Sequence, residues 1–323
     1  MEPPRRPPPG RLAVLLPCHN EAMTITDVVG EFRSALPHAE IYVYDNGSTD
    51  GTALLAAHAG AIVRSERRRG KGNVLRKMFA DIEADVYVMA DGDGTYDASA
   101  APAMIADLWE NHLDMVIGRR VEVPTGGAYR RGHRLGNQLL TRTVQRLFGD
   151  GPCDMLSGYR VLSRRYVKSF PAEATGFEAE TEMTVHALDL RLSYDEVPTV
   201  YAERPAGSAS KLRTLPDGLR ILGFIVLLLK EYRPVRFFGV IAAVTGLLAA
   251  LFKTGVIGSL TGVLSAQMSA ALGDLFFGLA LASVFAAVAL DSLSRARREA
   301  KRMAYLHLGA DALEREPASG GSG

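Results

Sequence analysis

The chain has 323 residues and a formal net charge of +1, from 37 lysines and arginines against 36 aspartates and glutamates. This length predicts one or two folding units, and the near-neutral balance gives no indication of nucleic-acid binding. With only two cysteines, Cys18 and Cys153, the sequence excludes a disulfide framework and a cysteine-rich zinc site, which fits a reducing compartment.

Residues 1–10 are rich in proline and have no apolar core, so we expect a disordered lead-in rather than a signal peptide. Short apolar strands then alternate with helical segments up to residue 120. Such alternation is typical of an α/β fold with a mostly parallel sheet and helices on both faces. In chain order, the predicted elements are strand 12–16, helix 22–35, strand 40–45, a turn at 46–51 leading into a helix, strand 61–64, helix 73–82, and strands 86–90 and 114–118.

The same folding unit is predicted to extend to residue 212. For its second half, the sequence predicts a helix over 129–148, a loop over 149–159, a helix over 177–190 and a strand over 194–201. Ligands of such sheets bind beyond the carboxyl ends of the strands, which is where polar residues collect in this sequence.

The segment 213–233 contains an apolar run that Arg220, Lys230 and Arg233 bracket. The run is too short to cross a bilayer, so we expect an amphipathic helix lying at the membrane interface. A buried core helix is the alternative.

Two longer apolar stretches predict a transmembrane hairpin over 234–292, with spans at about 235–256 and 271–291. Basic residues flank both ends of the hairpin, so the positive-inside rule places the termini and the preceding domain in the cytoplasm. This predicts a multi-pass protein of the cytoplasmic membrane, with a basic cytoplasmic tail and a linker-like end over 293–323. Burial of both stretches inside a soluble domain is the competing interpretation.

The sequence Asp91-Gly92-Asp93 directly follows the predicted strand 86–90. Two carboxylates at the edge of a sheet suit a hard divalent cation such as Mg²⁺ or Mn²⁺ together with a diphosphate. Asp93 is the first choice as a metal ligand, and Asp91 either shares the metal or binds a ribose. Gly92 would let the backbone approach the phosphates. A simple turn is the alternative.

Three further places carry polar groups that suit a functional site. Asp45 ends a strand, where its carboxylate can accept hydrogen bonds from a nucleobase. Lys71, between two glycines, opens a helix and suggests a phosphate-contacting turn, with an ordinary solvated loop as the alternative. Glu178, Glu180 and Glu182 lie on one predicted helix at a spacing that lets only one of them enter a site.

Taken together, these motifs resemble inverting glycosyltransferase family 2, which has the GT-A fold. The similarity is strongest to the dolichol-phosphate mannose synthase branch and the bacterial polyprenyl-phosphate glycosyltransferases. The motifs that carry it are Leu16-Pro17-Cys18-His19-Asn20-Glu21, Asp45 to Thr52, Gly70-Lys71-Gly72, Asp91-Gly92-Asp93, Asp154 to Arg160 and Ser210-Lys211-Leu212.

The resemblance implies three groups of site residues. The residues that would bind the nucleotide sugar are Pro17, Asn20, Glu21, Asp45, Lys71, Asp91, Gly92, Arg204 and Lys211. Those near an acceptor phosphate would be Arg120, Arg131, Arg134 and Ser157. Asp91 and Asp93 would hold the metal, and the catalytic set would be these two aspartates with Arg120 and Arg131.

The expected reaction is transfer of a sugar from a UDP- or GDP-linked donor to a polyprenyl monophosphate at the membrane, by a GT-A domain that could form a homo-oligomer. A processive polysaccharide synthase would carry a Gln-x-x-Arg-Trp motif, whereas the sole tryptophan here is Trp109. Another lipid acceptor and a non-catalytic scaffold of the same fold remain as alternatives. A dehydrogenase is excluded because no Gly-x-Gly-x-x-Gly follows the first strand.

Overall fold

The computed structural model describes residues 10–122, 131–149, 151–205, 214–256 and 265–314. Residues 1–9 of the predicted lead-in therefore lie outside the described residues. The chain divides into two compact units, the first formed by Met1–Leu222 together with Lys301–Gly323 and the second by Gly223–Ala300.

A seven-stranded sheet forms the centre of the first unit. Its strands are β1 (Leu12–Cys18), β2 (Glu40–Asp45), β3 (Ile62–Ser65), β4 (Val86–Met89), β5 (Met115–Glu122), β6 (Arg160–Ser163) and β7 (Tyr194–Tyr201). They are arranged in the order β3-β2-β1-β4-β6-β5-β7. All neighbouring pairs are parallel except those of β6, which runs antiparallel to both β4 and β5. The predicted α/β class with a mostly parallel sheet is therefore confirmed.

The helices of this unit are α1 (Ile25–Ala35), α2 (Thr52–His58), α3 (Lys71–Asp81), α4 (Ala101–Glu110), α5 (Arg131–Phe148), α6 (Arg164–Ser169) and α7 (Ala179–Leu190). Strands β2 and β7 have the predicted bounds, whereas β6, α4 and α6 are not among the predicted elements. The loop predicted to end at residue 159 leads directly into β6, whose four residues are too few to show an alternating pattern.

Helix α1 shows how the sequence builds the core. Its buried residues Ile25, Val28, Val29 and Phe32 recur at three- and four-residue spacing, which places them on one face. That face packs in one apolar cluster with buried residues of β1 such as Val14 and of its neighbours β2 and β4. The sheet is thereby fixed at its centre, and the loops that follow β1, β2 and β4 emerge together at its carboxyl edge.

Three long helices follow, namely α8 (Thr214–Tyr232), α9 (Pro234–Lys253) and α10 (Ala266–Glu314). Helices α9 and α10 each contain a stretch that is long and apolar enough to cross a membrane. Large apolar side chains on them, including Val240, Leu247 and Phe285, are exposed. This argues against the alternative in which both helices are buried in a soluble core.

The tail predicted to begin at residue 293 lies on the same helix as the second predicted span. Helix α10 continues through Glu314. Its segment 301–308 belongs to the first unit, where the Tyr305 hydroxyl donates to the Asp114 carboxylate at 3.0 and 3.2 Å. The guanidinium of Arg165 lies 5.0 Å from the Tyr305 ring centroid. Burial and the charge of Asp114 raise the pKa of Tyr305 to about 12, so the hydroxyl keeps its proton.

A glycine in α3 offers a test of how closely this fold is packed. A β-carbon at Gly72 would lie 2.2 Å from the carbonyl oxygen of Ala174, whereas one at Gly30 would meet nothing within 4 Å. We expect Gly72→Ala to destabilise the protein by about 1–3 kcal/mol through overpacking. Gly30→Ala should instead stabilise it by about 1 kcal/mol, because alanine favours the helix. Equal melting temperatures of the two purified variants would contradict this packing.

Candidate active site

The carboxyl ends of β1, β2 and β4 meet at one edge of the sheet. Cys18 at the end of β1 lies directly beside Asp45 at the end of β2, and Pro17 lies beside Tyr44. Asp91 and Asp93 follow the end of β4, the other neighbour of β1. The structure thus brings Pro17, Asp45 and the aspartate pair, which are far apart in the sequence, to the same edge.

The loops after β1 and β2 are tied together by hydrogen bonds. The backbone N–H of Asn20 donates to Ser48 Oγ at 2.9 Å, and Thr49 N–H donates to Asn20 Oδ1 at 2.8 Å. Glu21 N–H donates to Thr52 Oγ1 at 2.9 Å. Asn20 has a φ of 55°, the left-handed region that asparagine tolerates better than most residues. The predicted nucleotide-binding residues Asn20 and Glu21 are therefore held in one cross-linked surface.

The carboxylate of Asp45 organises its own turn. Both of its oxygens accept the N–H of Ser48, at 3.2 and 3.1 Å, and Oδ2 also accepts the N–H of Gly47 at 3.2 Å. Such a turn fixes the orientation of the carboxylate at the strand end. Its predicted contact with a nucleobase stays a prediction.

The Asp91-Gly92-Asp93 segment places its two carboxylates beside two different cations. Asp93 is 2% exposed, accepts hydrogen bonds from the N–H and hydroxyl of Thr95 at 3.1 and 2.6 Å, and forms an ion pair with Arg204. Asp91 Oδ1 lies 2.5 Å from Lys71 Nζ. Burial, followed by the negative charge of Asp91, raises the pKa of Asp93.

Gly92 is required by its contact with β1. A β-carbon at this position would lie 2.4 Å from Cys18 Sγ. The Gly92 carbonyl also accepts a hydrogen bond of 2.7 Å from Thr24 Oγ1 at the start of α1. The structure therefore gives Gly92 a packing role, and the predicted close approach of its backbone to phosphates is not needed to explain the residue.

Lys71 lies between two carboxylates. Its side chain is 11% exposed, and its Nζ is 2.5 Å from Asp91 Oδ1 and 2.5 Å from Glu180 Oε1. Burial alone would lower the pKa of Lys71, but the charges of Asp91 and Glu180 raise it overall. The lysine is thus a fixed cation of the site rather than part of a solvated loop.

Glu180 is the functional candidate that sequence reasoning left unresolved among three glutamates. Glu178 accepts backbone N–H groups of Thr175 and Gly176, and Glu182 accepts those of Glu173 and Ala174. Only Glu180 of the three forms an ion pair among the described residues. The signal in the sequence was the acidic start of α7, but spacing alone could not say which glutamate faces Lys71.

The glycines on either side of Lys71 do not form an open phosphate cradle. A β-carbon on Gly70 would lie 2.1 Å from the carbonyl oxygen of Thr175, and Gly72 is similarly close to Ala174. These glycines allow α3 to approach the backbone before α7. That approach brings Lys71 within reach of Glu180.

Arg120 is held by Asp154, which belongs to the Asp154 to Arg160 motif but was given no role of its own in the sequence analysis. Its Nε and Nη2 donate to Asp154 at 2.8 and 2.7 Å, and its guanidinium lies 5.4 Å from the Tyr201 ring centroid. The two parallel hydrogen bonds fix the plane of the guanidinium. Asp154 in turn accepts the backbone N–H of Arg120 and so anchors the end of β5.

Ser157 does not have the environment predicted for an acceptor contact. It is 0% exposed, and its hydroxyl donates to the Gly118 carbonyl at 2.6 Å. The hydroxyl therefore joins the 154–158 turn to β5. Arg160, from the same motif, is also fully buried and donates to the carbonyls of Met155, Ser157 and Glu180.

Three predicted site residues have side chains outside the described part of the chain. Lys211 lies outside the described residues. Arg131 and Arg134 lie on α5, but their side chains are outside the described part of the chain. Their predicted contacts with donor and acceptor phosphates stay predictions.

The carboxylates of this edge also act on the thiol of Cys18. Burial and the charges of Glu21, Asp91 and Asp45 raise the pKa of the Cys18 thiol well above its usual range. Within the described ranges, no group of three or more His, Cys, Asp or Glu side chains is arranged to hold a metal ion. Asp91 and Asp93 are nevertheless hard oxygen donors, which suit a cation that takes its remaining ligands from phosphate and water.

The Lys71 contacts can be tested without any ligand. Lys71→Met leaves Asp91 and Glu180 facing each other without a cation, so we expect a loss of about 3 kcal/mol in the free energy of unfolding. Adding Glu180→Gln to Lys71→Met removes one of the two charges and should restore part of that stability. Denaturant unfolding of both single variants and the double variant measures this coupling. Simple additivity would show that the lysine and the glutamate do not interact.

Comparison with known proteins identifies a family. The sequence profile of glycosyl transferase family 2 matches residues 13–170. Glycosyltransferase AglJ of Haloferax volcanii is 38% identical over 250 residues, covering 76% of this chain and 82% of the relative. Polyprenol monophosphomannose synthase of Mycolicibacterium smegmatis is 29% identical over 216 residues, covering 62% of this chain and 80% of the synthase.

A solved structure shares the fold. Glucosyl-3-phosphoglycerate synthase from Mycobacterium tuberculosis, in a complex with Mn²⁺, UDP and glucosyl-3-phosphoglycerate, superposes with a TM-score of 0.56 at 24% identity. The match covers 67% of this chain and 79% of that chain. The mostly parallel sheet is thus GT-A-like, as predicted. From the profile, the similarity to AglJ and this fold, we conclude that the chain is a glycosyltransferase and belongs to glycosyl transferase family 2.

Proposed function

We propose that this glycosyltransferase transfers a sugar, with inversion, from a nucleotide-diphosphate sugar to a polyprenyl monophosphate at the cytoplasmic face of a membrane. The observation that carries the proposal is the pairing of two carboxylates with two cations at one edge of the sheet. Asp91 is beside Lys71, and Asp93 is beside Arg204. Such an arrangement suits a diphosphate leaving group and its counter-ion, because negative charge develops on the diphosphate as its bond to the sugar breaks.

The donor half of the proposal uses the loops after β1, β2 and β4. Asn20, Glu21 and Asp45 would hold the nucleotide on the cross-linked surface that the first two loops form. Mg²⁺ or Mn²⁺, held by Asp91 and Asp93, would neutralise charge on the leaving diphosphate. Support comes from the donor chemistry of the two carboxylates and from the Mn²⁺ and UDP in the structure of the synthase with the same fold.

Lys71 and Arg204 have a second task in this proposal. They pair with Asp91 and Asp93, and their three and five N–H donors suit phosphate oxygens equally well. Glu180 keeps the Lys71 ammonium at the aspartates. The chain therefore supplies fixed positive charge next to the departing group, which stabilises charge that develops in the transition state.

To use a lipid phosphate as acceptor, the site needs positive charge to bind it rather than a general base to deprotonate it. The second pKa of a phosphate monoester is about 6, so the lipid phosphate is largely a dianion at neutral pH. One of its oxygens would attack the anomeric carbon while the bond from that carbon to the diphosphate breaks and the nucleoside diphosphate leaves. Arg120, oriented by Asp154, would bind the lipid phosphate. Arg131 and Arg134 would join it from α5.

The membrane part of the proposal rests on the apolar helices. Helices α9 and α10 would form a hairpin that crosses the membrane, with α8 at the interface and the first unit in the cytoplasm. Their length, composition and exposed apolar side chains support this assignment. The similarity to polyprenol monophosphomannose synthase supports a lipid-borne phosphate as acceptor.

The decisive experiment is a donor screen with the full chain. Purified protein is incubated with polyprenyl phosphate, Mg²⁺ or Mn²⁺, and separately with a UDP-hexose, a UDP-N-acetylhexosamine or GDP-mannose. We expect one donor to yield a lipid whose mass has grown by a single sugar. Addition of many sugars would favour a processive synthase. A folded protein that transfers no sugar from any of these donors would contradict polyprenyl phosphate as the acceptor.

Asp93, the first choice as a metal ligand, gives a sharper prediction. Asp93→Asn removes a charge from the proposed metal site, and we expect transfer to fall by at least about 100-fold. The matched control is Asp97→Asn, since Asp97 caps the next short helix by accepting the N–H of Ser99, and asparagine caps equally well. Retained transfer in Asp93→Asn, measured by the same lipid assay, would contradict a role for this carboxylate.

A further inference from the structure

The second unit contains a cationic cavity that includes none of the proposed sugar-transfer residues. Its volume is about 440 Å³. It lies between the junction of α8 with α9 and the residues of α10 that follow its apolar part. Its polar lining consists of Tyr232, Arg233, Arg236, Asp291, Arg295 and Arg298.

The cavity is built by a break between two helices. Arg233 leaves the helical conformation, with φ of −136° and ψ of 53°, and its carbonyl accepts the N–H groups of Arg236 and Phe237 at 3.0 and 3.1 Å. The Ser294 hydroxyl of α10 donates to the Glu231 carbonyl at the end of α8. These contacts hold the break against α10, so the cavity is a fixed feature of this unit.

One face of α10 supplies the other wall. Asp291, Arg295 and Arg298 are separated by four and three residues, which places them on the same side of the helix. Arg295 Nε donates to Asp291 Oδ2 at 2.9 Å. Four guanidinium groups and one carboxylate line the cavity, so cationic side chains predominate in its lining.

The chemistry of this lining selects the ligand. Guanidinium groups bind phosphate oxygens through paired, charge-assisted hydrogen bonds. The start of the 20-residue helix α9 adds its own partial positive charge. A tyrosine at the rim suits the boundary between an apolar and a wet environment.

The position of the cavity along the chain indicates which molecule would carry that phosphate. The apolar run of α9 begins at Phe237, directly after Arg236, and the apolar part of α10 ends just before Asp291. If these helices cross the membrane, as the proposed function holds, the cavity lies at the level of the cytoplasmic lipid headgroups. Basic pockets between membrane helices on that side are known to bind anionic headgroups.

We propose that the cationic cavity binds the phosphate of an anionic phospholipid of the cytoplasmic leaflet. The inference rests on the membrane insertion in the proposed function but not on the sugar-transfer chemistry. The bound headgroup would fix the depth at which α9 and α10 sit. Polyprenyl phosphate carries the same chemical group, so the test has to separate the two lipids.

The experiment measures lipid binding to the full chain and uses neighbouring arginines as a matched pair. Arg298 lines the cavity, whereas Arg297 is exposed on the same helix and does not line it. Each variant, Arg298→Gln or Arg297→Gln, loses one positive charge at nearly the same position along the axis of α10. Binding of phosphatidylglycerol, phosphatidylcholine and polyprenyl phosphate is counted by native mass spectrometry, and Arg236→Gln tests the opposite wall.

We expect the unsubstituted protein to retain phosphatidylglycerol in preference to phosphatidylcholine. Arg298→Gln and Arg236→Gln should each weaken phosphatidylglycerol binding about fivefold relative to Arg297→Gln. Equal binding by all three variants would overturn the proposal, and so would a loss confined to polyprenyl phosphate, because the cavity would then be an acceptor site. Sugar transfer is assayed on the same preparations, so an inactive enzyme with intact phospholipid binding refutes only the proposed function.

Discussion

The organisation of the first unit depends on keeping three carboxylates and two cations together at one edge of a sheet. Charges removed from water are costly unless each has a partner of opposite sign close by. Asp91 and Glu180 share Lys71, and Asp93 is matched by Arg204. The partners come from α3, the loop after β4, α7 and the segment after β7, so the whole topology has to be in place before each carboxylate has a cation beside it.

This pairing of carboxylates with cations would serve the proposed reaction. A site with carboxylates alone would repel a nucleotide diphosphate, and one with cations alone would hold the product too firmly. Lys71 and Arg204 can interact either with the aspartates or with phosphate oxygens, so substrate binding exchanges partners without burying a bare charge. In the proposed reaction, the contact between Arg120 and Asp154 would orient the guanidinium group before the acceptor phosphate binds.

The sequence was sufficient to predict features that depend on local patterns. The β-branched and aromatic run of β2 gave its correct bounds, and the position of Asp91 and Asp93 after an apolar strand followed from the alternation of elements. Features that depend on tertiary packing were not predictable. Only the approach of α3 to the backbone before α7 selects Glu180 over its neighbours, and only the contact with Cys18 explains Gly92. The inserted antiparallel β6 and the burial of Ser157 likewise depend on partners distant in sequence.

The contact between Tyr305 and Asp114 changes how a soluble form of the enzyme should be engineered. Asp114 is almost completely buried at the start of β5, and the hydroxyl of Tyr305 is one of its donors, beside Ser163 and Arg165. A truncation placed ahead of the apolar helices would discard this donor along with those helices. Excising residues 223–300 with a flexible joint would keep the C-terminal segment, and with it the protection of a carboxylate at the base of the sheet.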